Sequence, residues 1–125
     1  VRVVPDVAGI AALGKSFDYR VPAALDAAVT VGTMVRIDLH GRRVGGWVVA
    51  DRDQPLEESA RGVALRPLAR VSGLGPDATV VDLTEWAAWR WAGRRTAFLR
   101  AASPDRAVRG LPSPTRATSP AVATV

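Results

Sequence analysis

Asp18 and Arg20 are the pair of residues in this sequence best placed to do chemistry together. They lie two positions apart in Phe17-Asp18-Tyr19-Arg20-Val21-Pro22. On a strand, successive side chains point to opposite faces, so the carboxylate and the guanidinium share one face. Phe17, Tyr19 and Val21 share the other, which is large and apolar and belongs in a core. Pro22 has no N–H to give to a ladder, so it stops the strand or confines it to an edge. Such a pattern has two readings. One is a half-buried strand with a solvated Asp and Arg. The other makes Asp18 the polar centre of a pocket, a carboxylate that accepts from a donor and repels an anion.

Other chemistries find little support. His40 is the only histidine, so any Ser-His-Asp machinery would have to use it. It falls in a turn with no nucleophile motif nearby. No glycine-rich loop ends in Gly-Lys-Ser/Thr, which excludes a P-loop for ATP, and Gly41 to Gly46 lacks the strand–turn–helix context of a dinucleotide fingerprint. Asp18, Asp38, Asp51 and Asp53 have neither the spacing nor the partners of a metal site. Cysteine is absent, excluding disulfides, thiolate zinc sites and thiol catalysis. The chain as given is therefore expected to be no enzyme and to hold no cofactor or metal.

The elements that must position Asp18 follow from the pattern around it. Arg2-Val3-Val4 starts an extended segment that Pro5-Asp6 interrupts, and residues 8–16 are small and glycine-punctuated, a loop. Ala23–Ala28 offers one helical turn, and Gly32 marks a bend. Val35, Ile37 and Leu39 alternate with Arg36 and Asp38, the period of a half-buried strand. His40-Gly41-Arg42-Arg43 then supplies a turn in which Gly41 can take positive φ. Val44 to Val49 returns as a second strand, with Gly45-Gly46 predicting a bulge or a close backbone approach. The hairpin tip carries His40, Arg42 and Arg43.

Residues 51–62 read as a polar loop, residues 65–71 as an edge strand containing Pro67, and Gly73 to Pro76 as a turn. A helix follows, capped by Asp77 or Thr79, with Thr79-x-x-Asp82 fitting a capping box. Leu83, Ala87 and Trp91 form one stripe of it, while Trp86, Trp89 and Arg90 form a neighbouring one. So much indole is expected to pack mainly in the core. Gly93 breaks the helix, and Arg95 to Ala102 forms a short basic segment with Phe98 and Leu99 inward. Beyond Ser103-Pro104, proline, serine, threonine and alanine dominate, and residues 105–125 read as a disordered linker. The whole predicts an α+β domain, a small curled antiparallel sheet or partial β-barrel followed by a C-terminal helical segment.

The 125 residues fit one domain, and the formal net charge is +5. Residues 1–51 are nearly balanced at +1, residues 52–85 carry −2 and residues 86–125 carry +6. A positive last third suits a polyanion partner or a solubilising face. No run approaches the length of a membrane helix and no signal peptide is visible, so a cytoplasmic monomer without membrane contact is expected.

With that organisation, the chain resembles the N-terminal 3′-end DNA-binding domain of primosomal protein N′ (PriA), the replication-restart helicase family. The resemblance rests on Phe17-Asp18-Tyr19 with Val21-Pro22, on Gly32-x-x-Val35-x-Ile37 entering a hairpin with Gly41, on Leu65-Arg66, and on Trp86-Ala87-Ala88 leading through Phe98-Leu99 to Pro104. It covers residues 1–104. It implies a module that captures the 3′-hydroxyl end of a nascent leading strand at a fork, bacterial and nucleoid-associated, working with other replication-restart proteins. Carried over by match, the pocket residues are Phe17, Asp18, Gly41 and Arg66, with Arg20, Arg42 and Arg43 as candidate phosphate contacts. Where relatives have an aromatic before the hairpin glycine, this chain has His40. The resemblance places ATP, magnesium and zinc only in helicase parts that this chain lacks. A second reading makes the Trp86, Trp89 and Trp91 helix a docking face for a partner or neighbouring domain. A third is nonspecific electrostatic binding through the basic last third.

Overall fold

The computed structural model describes residues 1–7, 15–52 and 64–111. Five antiparallel strands, β1 (Arg2–Pro5), β2 (Phe17–Asp18), β3 (Met34–Leu39), β4 (Arg42–Ala50) and β5 (Arg70–Gly73), form one sheet in the order β2-β1-β4-β3-β5. Helices α1 (Ala78–Arg90) and α2 (Arg95–Ala101) follow, so the architecture is the expected α+β. The sheet is not closed, yet its two edges meet at one point. Arg20 makes an isolated parallel bridge to Pro67, ahead of β5. The Arg20 N–H donates to the Arg66 carbonyl, and the Leu68 N–H donates back to the Arg20 carbonyl, both at 2.9 Å. The 65–71 edge strand expected from sequence is thereby divided. Pro67 has no N–H, Leu68 spends its own on Arg20, and Ala69 donates to Arg36, so the β5 ladder starts at Arg70.

The β3–β4 hairpin stands as its alternation predicts. Val35, Ile37 and Leu39 are buried on one face, and six consecutive residue pairs run from Met34↔Trp47 to Leu39↔Arg42. Of the two possibilities raised for Gly45-Gly46, the close approach is the one observed, since the register there is continuous. A Cβ at Gly46 would lie 2.7 Å from Val3 Cγ1 and 2.8 Å from the Val4 carbonyl oxygen. Only glycine lets β1 pack this closely on β4.

The sheet has two used faces. Val3, Tyr19, Val29, Val35, Ile37, Val48 and Leu68 fill the concave one, with Phe17 and Val21 packed against them. On the convex face Val4 and Trp47 meet Val81 of α1 and Leu99 of α2. Trp47 is buried, and its indole N–H donates to Ser103 Oγ at 2.8 Å, which pins the end of α2 to β4.

Asp77 caps α1, accepting from the Val80 N–H at 2.9 Å. The buried row of α1 is Val81, Thr84 and Ala87, and this corrects the expected placement of the tryptophans. Trp86, Trp89 and Trp91 are 49%, 78% and 61% exposed, and Leu83 is exposed as well. Small residues at i, i+3 and i+6 bring α1 close to α2, and the indoles, too bulky for that seam, point outward. Trp86 and Trp91 stack edge to face at 5.3 Å, with the Arg90 guanidinium 5.9 Å from the Trp91 ring. Of the residues read as a linker, 112–125 lie outside the described residues. Within 105–111, Val108 lies beside Gly73, and its carbonyl accepts from the Leu74 N–H at 2.6 Å. The loops read over residues 8–16 and 51–62 also fall largely outside the described residues.

The two adjacent glycines of β4 make a sharp comparison. Gly46→Ala is expected to destabilise the fold by about 1–3 kcal/mol, the usual range for overpacking. Gly45→Ala, whose Cβ would meet nothing nearer than Arg36 at 3.7 Å, is expected to be neutral or slightly stabilising. Urea unfolding followed by tryptophan fluorescence measures both.

Candidate nucleic-acid interface

The hairpin tip is built by backbone chemistry. His40 (φ 50°) and Gly41 (φ 76°) are the only two residues between β3 and β4, and both are left-handed. This is the type I′ geometry, whose twist matches that of the flanking strands. No atom lies within 4 Å of where a Gly41 Cβ would stand, so glycine is there for its φ and leaves the tip bare. Arg42 and Arg43 are exposed beside it. Arg43 Nε donates to Asp38 Oδ1 at 3.0 Å and Nη2 to Oδ2 at 3.4 Å, a forked pair that staples the two strands. The hydrogen bond from Arg43 holds the Asp38 carboxyl below the usual carboxylate range.

Tyr19 brings β2 to this tip. Its backbone exchanges two 2.8 Å hydrogen bonds with Val1, extending the β1–β2 ladder. Its ring is buried, and its hydroxyl donates to the Asp38 carbonyl at 2.9 Å. Phe17, two residues earlier, therefore stands beside the tip, its ring edge to face with His40 at 6.3 Å. Arg66 is exposed, and its charge is felt by both the Tyr19 hydroxyl and the Asp38 carboxyl. One rim of the sheet thus gathers Phe17, His40, Gly41 and Arg66. Arg20 is exposed next to Arg66 through the edge-to-edge bridge.

Asp18 faces the other way. Phe17 pairs with buried Val3, and Asp18 pairs with Arg2, so the two neighbours occupy opposite faces as alternation requires. The carboxylate is not in open water. Its side chain is 4% exposed, and Oδ1 lies 3.6 Å from Arg2 Nε. Sequence reasoning did not single out Arg2 as its companion. That partnership depends on β1–β2 register, which no local pattern encodes. The Tyr19 hydroxyl bond was equally hidden, since a tyrosine on an apolar face reads as core. Among the described residues, no group of three or more His, Asp or Glu side chains could hold a metal ion, and no helix is long and apolar enough to cross a membrane.

A curled sheet that offers an aromatic ring, bare backbone and arginines along one rim defines a class of small nucleic-acid-binding modules. The chain belongs to the PriA 3′ DNA-binding domain family, described as "3′DNA-binding domain (3′BD)", whose model matches residues 2–104. It is 36% identical over 99 residues to proteins named "Probable replication restart protein PriA" from Mycobacterium tuberculosis (strains CDC 1551 / Oshkosh and ATCC 25618 / H37Rv) and Mycobacterium bovis. The match covers 78% of this chain and 14% of each relative, so the chain spans about a seventh of their length.

Tyr19 is the single tyrosine of the chain, which makes its titration readable by near-ultraviolet absorbance. Burial raises its pKa above the ordinary value of 10.0, against the opposing pull of Arg66. A raised folded-state pKa means that the unfolded chain loses this proton first. Stability is therefore full below about pH 10 and falls as pH rises through the folded-state pKa. Tyr19→Phe is expected to remove that alkaline fall and to cost about 1 kcal/mol at neutral pH through the lost bond to Asp38.

Proposed function

We propose that this chain is the DNA-binding module of a replication-restart primosomal protein, and that it captures the 3′-hydroxyl end of a nascent leading strand without sequence preference. The observation that carries the reading is the convergence of Phe17, the His40-Gly41 tip and Arg66 on one rim, in a chain of the 3′ DNA-binding domain family. Phe17 gives the terminal base a face that any base can use. Gly41 lets backbone approach the nucleotide, and Arg66, with Arg20, Arg42 and Arg43 around it, holds phosphates without reading sequence. Asp18 is the acceptor for the terminal hydroxyl and the group that repels a phosphate in its place. This role is carried by the resemblance at Phe17-Asp18-Tyr19 and not by the rim, since the carboxylate lies buried against Arg2 on the face opposite Phe17. The partners are single-stranded 3′ ends and forks, and the chain acts by binding, without catalysis of its own.

A second reading is favoured by one observation, the exposure of Trp86, Trp89 and Trp91. It makes α1 a docking face for a partner protein or a neighbouring domain. In that case DNA binding would be weak and indifferent to end chemistry.

A 3′-hydroxyl oligonucleotide is expected to bind more tightly than its 3′-phosphate twin in fluorescence anisotropy, and Asp18→Ala is expected to erase the difference. Equal affinity of the unmutated chain for the two ends would refute hydroxyl capture. With about three phosphate contacts, the logarithm of affinity should fall against that of salt with a slope of about −2.

A further inference from the structure

On the convex face the two helices pack over the Met34–Trp47 end of the sheet. Another row of residues crosses that face nearer the hairpin tip, where Arg36 is half-buried and Arg70 exposed. The Asp6 N–H donates to the Gly45 carbonyl, Gly45 pairs with Arg36, and Arg36 pairs with Arg70. Residues directly opposite on neighbouring strands point to the same face, so Arg36 and Arg70 stand side by side. Two like charges so placed destabilise a sheet. By register the nearest carboxylates are those of Asp38 and Asp6. Asp38 is held by Arg43, and Asp6 is held by Arg100 of α2. Among the described residues neither Arg36 nor Arg70 makes an ion pair, and Arg36 Nε is buried with no hydrogen-bond partner. The Arg36 guanidinium lies across Gly45, with Nη1 3.7 Å from where a Cβ would stand. The missing side chain leaves room for that guanidinium over bare backbone.

We infer that Arg36 and Arg70, beside the bare Gly45 backbone of β4, form a phosphate-binding site for the nucleic-acid backbone, separate from the strand-end rim. Repulsion between the two guanidiniums is relieved by one bound anion, and guanidinium donors suit phosphate. A polyanion is favoured over a free phosphate because Arg36 lies on the same hairpin that carries the rim. Arg36 is four residues from His40, about 13 Å along the strand. That distance matches about four nucleotides of a B-form strand at about 3.4 Å each. The site therefore takes the sugar–phosphate backbone a few nucleotides from the captured end, or the strand paired to it. It rests on the reading that the chain binds DNA, and not on recognition of the 3′-hydroxyl.

The test is Arg36→Gln with Arg70→Gln, measured by anisotropy on 3′-hydroxyl and 3′-phosphate oligonucleotides of two and twelve residues. Arg106→Gln with Arg109→Gln is the charge-matched control. The inference expects the twelve-mers to lose on the order of tenfold at 0.1 M salt, equally for both ends, and the salt slope to become shallower by about 1.4 for two single-strand contacts. The dinucleotides should lose less, and the ratio of 3′-hydroxyl to 3′-phosphate affinity should stay as in the unmutated chain. Unfolding stability should hold or rise, since a repulsive pair is removed, whereas a purely structural pair would make it fall. Loss no greater than in the control, equal loss for both lengths, or a fall in stability that accounts for the weaker binding would each overturn the site. Failure of hydroxyl capture shows elsewhere, as equal binding of the two ends by the unmutated chain.

Discussion

The fold depends on one buried ring that ties a sheet edge to a hairpin. Tyr19 is anchored by its backbone to Val1 and by its hydroxyl to the Asp38 carbonyl. Between those two attachments the edge of the sheet is bent toward the tip. One residue further on, Arg20 reaches across to Pro67 on the approach to the opposite edge. Without that curl Phe17 would lie at one margin of a flat sheet, with β1 between it and the β3–β4 hairpin. With it, Phe17 and His40 are edge to face. The rim is thus a product of that curl, built on the core that Tyr19 belongs to. Positioning by core packing lowers the ordering cost of binding, which suits the strand-end capture proposed above.

The two faces of the sheet divide the work. Among the described residues, the concave face is filled by branched aliphatic residues and Tyr19. The convex face is shared between a helical layer and an open row of arginines. Trp47 sets the boundary between these zones. It is large enough to receive both Val81 and Leu99, and its indole N–H fixes Ser103 at the end of α2. Toward the tip, the place that a third large residue could fill is Gly45. A bulky side chain there would extend the apolar seat of the helices, and glycine instead leaves Arg36 lying over bare backbone.

The hairpin was legible because its information is local. Alternation over Met34–Leu39 names the buried face, and a histidine and a glycine at the turn allow two successive left-handed residues. The helices were legible for the same reason, from Asp77 or Thr79 as cap and Gly93 as break; Asp77 makes the cap, and the left-handed residue after α1 is Ala92, one position before Gly93. Three features were not. The exposure of Trp86, Trp89 and Trp91 follows from α1 using a row of small residues for its seam, which a count of apolar bulk points away from. The split of the edge strand follows from Arg20 competing for the N–H of Leu68, a contact between segments 48 positions apart. The Arg2–Asp18 and Arg36–Arg70 pairs depend on strand register, and register is decided by the sheet as a whole.

Charge shows the same limit with more consequence for function. By sequence, the positive balance belongs to residues 86–125, which suggests a basic tail as the polyanion-binding part. In the fold several of those arginines have internal duties. Arg95 donates to Thr84 Oγ1 and to the Val81 carbonyl, Arg100 holds Asp6, and Arg90 sits by the Trp91 ring. The exposed arginines Arg20, Arg42, Arg66 and Arg70 come from the part of the chain whose charges nearly cancel. Among the described residues two acids of that part are already engaged, Asp18 with Arg2 and Asp38 with Arg43. A segment with almost no net charge thereby builds a positive surface. What governs attraction for a phosphate backbone here is which ion pairs the sheet satisfies internally, and only secondarily how many arginines the chain contains.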